Sequence, residues 1–154
     1  MTNPLFCAKI LLFGEYGIIE DSQGLTLPYS FYKGTLKFSD NQSDFEKKSN
    51  ESLQKYSDYL TTLELSKDFK IDVEAFKKDI EKDLFFDSNI PQGYGVGSSG
   101  ALVAAIFEKY SFKKYNPSTI SKTQLKDLKK VFGELESFFH GKSSGIDPLI
   151  CYMN

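Results

Sequence analysis

The stretch 89–105, NIPQGYGVGSSGALVAA, decides how the rest of the chain is read. After Pro91 it places Gly93, Gly95 and Gly97 at alternate positions, adds Ser98 and Ser99, and reaches Gly100 before an apolar run. Glycine allows close backbone approach to a bound group, because no Cβ stands in the way. A loop feeding a helix start offers free N–H donors at the positive end of the helix dipole. The stretch therefore reads as a phosphate cradle made of Gly93, Gly95, Gly97, Ser98, Ser99 and Gly100, with a serine hydroxyl available to Mg²⁺. Two better-known phosphate motifs do not fit. GVGSSG at 95–100 matches G-x-G-x-x-G in form, but the segments after it read as a helix, a Pro-containing loop and another helix. A dinucleotide site needs a βαβ unit there, so an NAD-dependent dehydrogenase is the weakest reading. Gly141-Lys142-Ser143 ends like G-x-x-x-x-G-K-[ST], but Glu136 stands where the first Gly belongs.

Working outward, ALVAAIFEKY reads as a buried helix and LFFDSNI, before the cradle, as a short strand. Residues 5–13 form an apolar run compatible with a strand, interrupted by Lys9, and GEYGII punctuates and resumes it. LTLPYSFYKGTLKFSD alternates loosely in the strand period, with Pro28 and Gly34 as breaks. From Ser43 to about Leu65 the spacing of Leu53, Tyr56, Leu60 and Leu63 predicts a helix, with Ser49 as a cap. A second short helix follows Asp72, with Val73, Phe76, Ile80 and Leu84 on one face. Ser121 and Gln124 form a capping-box pattern opening a helix to about Phe139, with Leu125, Leu128, Phe132, Leu135 and Phe139 at core spacing. HGKSSGIDP is turn-rich, and LICYM reads as the beginning of a strand. No repeat or linker separates these parts.

Composition narrows the function classes. The 154 residues are about one domain's worth, 40% hydrophobic and 15% aromatic, enough for a real core. The formal net charge is -2, and all 19 basic residues are Lys. Nucleic-acid binders normally carry a basic excess and use Arg forks, so a nucleic-acid partner is not expected. A bound phosphate must rest on backbone N–H groups, hydroxyls, Lys or a metal. No apolar run is long enough for a membrane span, and the start lacks a basic signal region. Cys7 and Cys151 lie far apart, with no metal-type spacing, and a reduced cytoplasmic setting is the plain reading. One His is too few for a His–carboxylate metal cluster.

Three segments, in order, resemble the GHMP kinases. PQGYGVGSSGALVAA resembles the second motif of that family, P-x-G-x-G-L-G-S-S-A-A. AKILLFGEYGII resembles the first, of the type G-K-x-x-L-x-G-E-H/Y-x-V. ESFFHGKSSGIDP resembles E-x-x-x-H-G-x-P-S-G-x-D of mevalonate kinases. Together they span Lys9 to Asp147. Val96, Gly100 and Ser143 depart from the usual Leu, Ala and Pro.

The resemblance implies an α+β fold, with the ribosomal-protein-S5-like architecture of the N-terminal, ATP-binding GHMP domain over 1–154. It implies ATP and Mg²⁺ as cofactors and a small-molecule alcohol as substrate, most like mevalonate in isoprenoid precursor synthesis. Phosphomevalonate kinase is the nearest alternative, because Glu15-Tyr16 stands where many mevalonate kinases have Glu-His. By the same carry-over Asp147 is the catalytic aspartate and Lys9 the lysine beside it. Ser99 and Glu136 contact Mg²⁺, and Glu15, Tyr16, His140, Ser144 and Gly145 meet the substrate. Without the resemblance, Glu136 reads as a solvated helix face, Asp147 as a turn residue before Pro148, and His140 as a helix-end residue. The family's third Gly-rich loop, K-x-T-G-A-G-G-G-G, does not follow Asp147. The expectation is thus a partial chain with its C-terminal domain missing, completed by a C-terminal half or a homodimer partner, and a non-catalytic nucleotide-binding half is the alternative.

Overall fold

The computed structural model describes residues 3–14 and 24–154. GEYGII therefore lies almost wholly outside the described residues. Three antiparallel strands, β1 (Phe6–Phe13), β2 (Leu25–Phe38) and β3 (Leu84–Ser88), form a sheet in the order β1-β2-β3. Two helices, α1 (Asp44–Leu60) and α2 (Val73–Ile80), intervene between β2 and β3. The helices α3 (Ser98–Tyr110), α4 (Lys122–His140) and α5 (Ile146–Met153) follow the sheet. The fold is mixed α and β with an antiparallel sheet.

Pro28 and Gly34 do not break the second strand, which runs through both. β3 pairs only with Gly34–Phe38, so Pro28 lies in the part of β2 beyond its reach. A missing N–H there costs no bond to β3. Gly34 leaves room for the tip of the Phe86 ring, which lies where a Cβ would sit. The irregularity in this hairpin falls elsewhere: Cys7 pairs with Lys33 but Ala8 with Tyr29, so β2 bulges at residues 30–32.

The cap of α1 is Ser43, not Ser49: Ser43 accepts from the Glu46 amide while Glu46 accepts from the Ser43 amide. Ser49 is instead a tertiary contact, its hydroxyl accepting the Phe86 N–H at 2.9 Å. This helix ends at Leu60, short of Leu65. Asp72 caps α2, and the Ser121–Gln124 capping box opens α4 as its sequence predicts. The core lies around α3, where Val103, Ile106 and Phe107 are buried and the Phe107 ring packs edge-on against Phe132 and Tyr152. Each fully buried Phe contributes about 2–3 kcal/mol of burial energy. Tyr56 on α1, also fully buried, donates to the Leu135 carbonyl at 3.0 Å and so ties α1 to α4.

The last segment corrects the expectation of a strand. LICYM belongs to α5, a helix whose buried residues include Pro148, Leu149, Cys151 and Tyr152. An apolar run this short fits either period. What selects the helix is its start: Gly145 in the left-handed region with φ 72°, then Asp147 and Pro148 in the first turn. There Pro loses no hydrogen bond and an acidic side chain meets the positive dipole end. Asp147 is therefore a first-turn helix residue rather than part of a loop.

Candidate active site

Four elements meet at one cleft of about 590 Å³: β1, the loop before α3, the end of α4, and the start of α5. Lys9 comes from β1. Its N–H donates to the Val96 carbonyl at 3.0 Å, which pins the Gly-rich loop to the strand edge. Its side chain passes over Gly97, where a Cβ would come within 2.9 Å of the Lys9 Cγ. Gly97 takes a φ of 82° and is the N-cap of α3, with no side chain to cap the helix. The first-turn amides of α3 therefore have no side-chain partner at the cap and stand at the cleft.

The Lys9 ammonium ends 2.9 Å from Asp147 Oδ2. The lysine side chain is 6% exposed and the aspartate 30%. A buried ammonium is costly unless paired, and Asp147 is the pair. The aspartate remains open to the cleft, so it can meet a ligand while the lysine steadies its charge.

Glu136 on α4 is 3% exposed, which replaces the solvated-face reading with a buried carboxylate. Ser99 Oγ donates to its Oε1 at 2.9 Å, and Ser143 Oγ donates to its Oε2. His140, one turn further along α4, places Nε2 2.9 Å from the same Ser99 Oγ. The Ser99 hydroxyl has one proton, so while it donates to Glu136 the His140 nitrogen acts as the donor. Burial pushes the Glu136 carboxyl above its ordinary range, and the Asp147 charge adds to this; the hydrogen bonds from Ser143 and Ser99 and the His140 charge act the other way. Behind Asp147, burial, with the Asp147 and Glu136 charges, pushes the Cys151 thiol far up, so it stays a thiol.

The cleft wall includes Gly93, Gly95, Gly97, Ser98, Ser99, Glu136, His140, Ser144 and Asp147, which brings most of the predicted residues together. Gly100 and Gly145 do not line it. Gly100 is buried where a Cβ would come within 2.8 Å of the Asp147 carbonyl carbon and the Pro148 nitrogen. Gly145 is buried against α4, beside the Gly133 amide. Both glycines act as close-packing points that set α5 against α3 and α4. Glu15 and Tyr16 lie outside the described residues. Lys142 and Ser143 also line the cleft, and neither carries a site role in the sequence pattern. The only signal at Ser143 was its departure from the expected Pro. Gly133, on the docking seam, carried no signal inside a helical pattern.

The donor set suits a hard cation completed by other ligands. Ser99 and Glu136 offer oxygens, as Mg²⁺ prefers. Among the described residues no group of three or more His, Cys, Asp or Glu side chains is placed to hold a metal by itself. The remaining ligands would have to be phosphate and water oxygens. The dinucleotide alternative finds no support: after α3 come a loop and α4, with no returning parallel strand among the described residues.

The family model described as GHMP kinases N terminal domain matches residues 59–154. The chain belongs to the GHMP kinase family. No curated protein and no solved structure gives a match. The GHMP match begins within α1 and takes in the Gly-rich loop, α4 and α5, whereas Lys9 and β1 lie before it. GHMP kinases are transferases that generally use ATP, with Mg²⁺ as the usual metal. Among the described residues no helix is long and apolar enough to cross a membrane.

Proposed function

We propose that the chain carries the ATP- and Mg²⁺-dependent phosphoryl-transfer site of a small-molecule kinase, with mevalonate as the acceptor and a cytoplasmic setting. One observation carries the reading: the Lys9–Asp147 pair, at 2.9 Å, faces the same cleft as the Gly-rich loop. Phosphoryl transfer needs charge neutralisation, in-line positioning and a proton acceptor near the attacking hydroxyl. The loop amides and the first turn of α3 receive the triphosphate. Mg²⁺ held by Ser99, Glu136 and phosphate oxygens would neutralise charge there. Asp147 orients the acceptor hydroxyl and takes its proton as the oxygen bonds to the γ-phosphorus. The bond from that phosphorus to the bridging oxygen breaks, and ADP leaves with the electron pair. Lys9 holds Asp147 in place through their ion pair, and its ammonium offsets charge on the transferred group.

The acceptor rests on the H-G-x-x-S-G-x-D segment. His140, Ser144 and Asp147 all line the cleft. The S5-like architecture belongs to the same proposal. Its test is transfer of labelled γ-phosphate to mevalonate, phosphomevalonate, homoserine or galactose by the chain, alone and supplied with a C-terminal GHMP half. Mg²⁺-dependent transfer fastest to mevalonate supports it. A faster rate with another alcohol overturns the acceptor, and failure to bind Mg–ATP overturns the kinase.

A further inference from the structure

Ser143 lies in the loop between α4 and α5. It replaces a Pro of the pattern it resembles, so the chain gains both a hydroxyl and an N–H there. The hydroxyl is used on both sides. Its proton goes to Glu136 Oε2, and its oxygen accepts the Gly145 N–H at 3.1 Å. Since a hydroxyl has one proton, accepting from Gly145 leaves that proton directed at the carboxylate.

Glu136 is thus gripped at both oxygens from two elements: Ser99 from α3, and Ser143 from the loop before α5. No buried polar side-chain atom among the described residues is left without a partner. Gly145 is the N-cap of α5, two residues before Asp147. One hydroxyl therefore joins the carboxylate proposed to face the metal to the segment that carries the proposed base.

We propose that Ser143 is a positioning residue. It fixes the Glu136 carboxylate so that its orientation toward Ser99 and a bound cation is set in advance, and it registers that carboxylate with the start of α5. This role rests on the kinase reading. Groups that orient metal ligands in this way are worth about 10–100-fold in metal affinity.

The test is Mn²⁺ binding to the full chain in the presence of ATP, read by electron paramagnetic resonance, with thermal unfolding in parallel. Ser143→Ala should weaken Mn²⁺ binding about tenfold or more. Ser143→Thr, which keeps the hydroxyl, should restore most of the affinity. A residue that only supports the loop would lower the melting temperature and leave Mn²⁺ affinity alone, and that result overturns the role. Should Ser143→Ala fail to fold, Ser143→Cys supplies a weaker donor of similar size: weakened Mn²⁺ binding supports the role, and wild-type affinity overturns it. Wild-type chain that binds Mn–ATP, with Ser143→Ala binding it equally well, overturns the Ser143 role alone. Wild-type chain that binds no Mn–ATP overturns the kinase reading together with it.

Discussion

Lys9 and Asp147 illustrate how a single apolar strand can be read for chemistry. A lysine in the middle of such a strand must snorkel, pair or line a site. It pairs, at 2.9 Å, with a first-turn carboxylate 138 positions away in sequence (147 − 9). Asp147→Asn preserves the shape of that side chain and removes its ability to take a proton. In the complete enzyme, turnover should fall by about 10²–10⁴-fold while Mg–ATP affinity stays within about twofold, measured by steady-state rates and calorimetry. An unchanged rate would remove Asp147 from the chemistry. Glu136 shows the limit of reading one residue at a time. Its helix position alone places it with solvated acids, whereas the fold buries it between two serines, one of them 37 residues earlier on α3. Nothing in local spacing shows such a partner; only ordered resemblance across three segments did.

Elements were legible where local chemistry fixes them. The capping box of α4 and the Asp72 cap of α2 are written in neighbouring residues, and both occur. The misses share a cause: long-range packing chose between locally equal options. Ser49 has the right chemistry for a cap but binds the β3 backbone, while Ser43 with Glu46 takes the helix end. α5 looked like a strand because its start depends on Gly145 docking against α4. With a φ of 72° and the Gly133 amide 2.6 Å from where a Cβ would lie, that position admits little but glycine. Gly145→Ala should cost about 3 kcal/mol from left-handed strain and overpacking. That corresponds to a drop of roughly 6–12 °C in melting temperature by calorimetry.

The α2–α3 contact gives a pH-dependent counterpart. Asp79 accepts from the Tyr110 hydroxyl at 2.9 Å and pairs with Lys109 at 2.9 Å. Burial raises its pKa most, but the Lys109 and Tyr110 hydrogen bonds, with the Lys109 and Lys82 charges, outweigh it and leave the carboxyl below its ordinary 3.8. A group lowered by folding stabilises the fold fully above its unfolded value and loses that contribution as pH falls through its folded value. Asp79→Asn should therefore cost about 1.5 kcal/mol at neutral pH. In urea melts from neutral to strongly acidic pH, the gap from wild type should close only at the acid end. A gap that stays constant with pH would contradict the ion-pair account.

At the scale of the molecule, the fold gathers a strand, a glycine loop and two helix ends around one cleft. The chain has no Arg, so within it a triphosphate can rest only on amides, hydroxyls, a lysine and a cation. This is the central claim, and it can be read without turnover. Amide chemical shifts of the ¹⁵N-labelled chain, followed during titration with Mg–ATP, test it most directly. The account predicts saturable shifts concentrated at Gly95, Gly97, Ser98 and Ser99, at Glu136, and from Ser143 to Asp147. No saturable shift, or shifts confined to the separate pocket around Gln42 and Asp83, would contradict it.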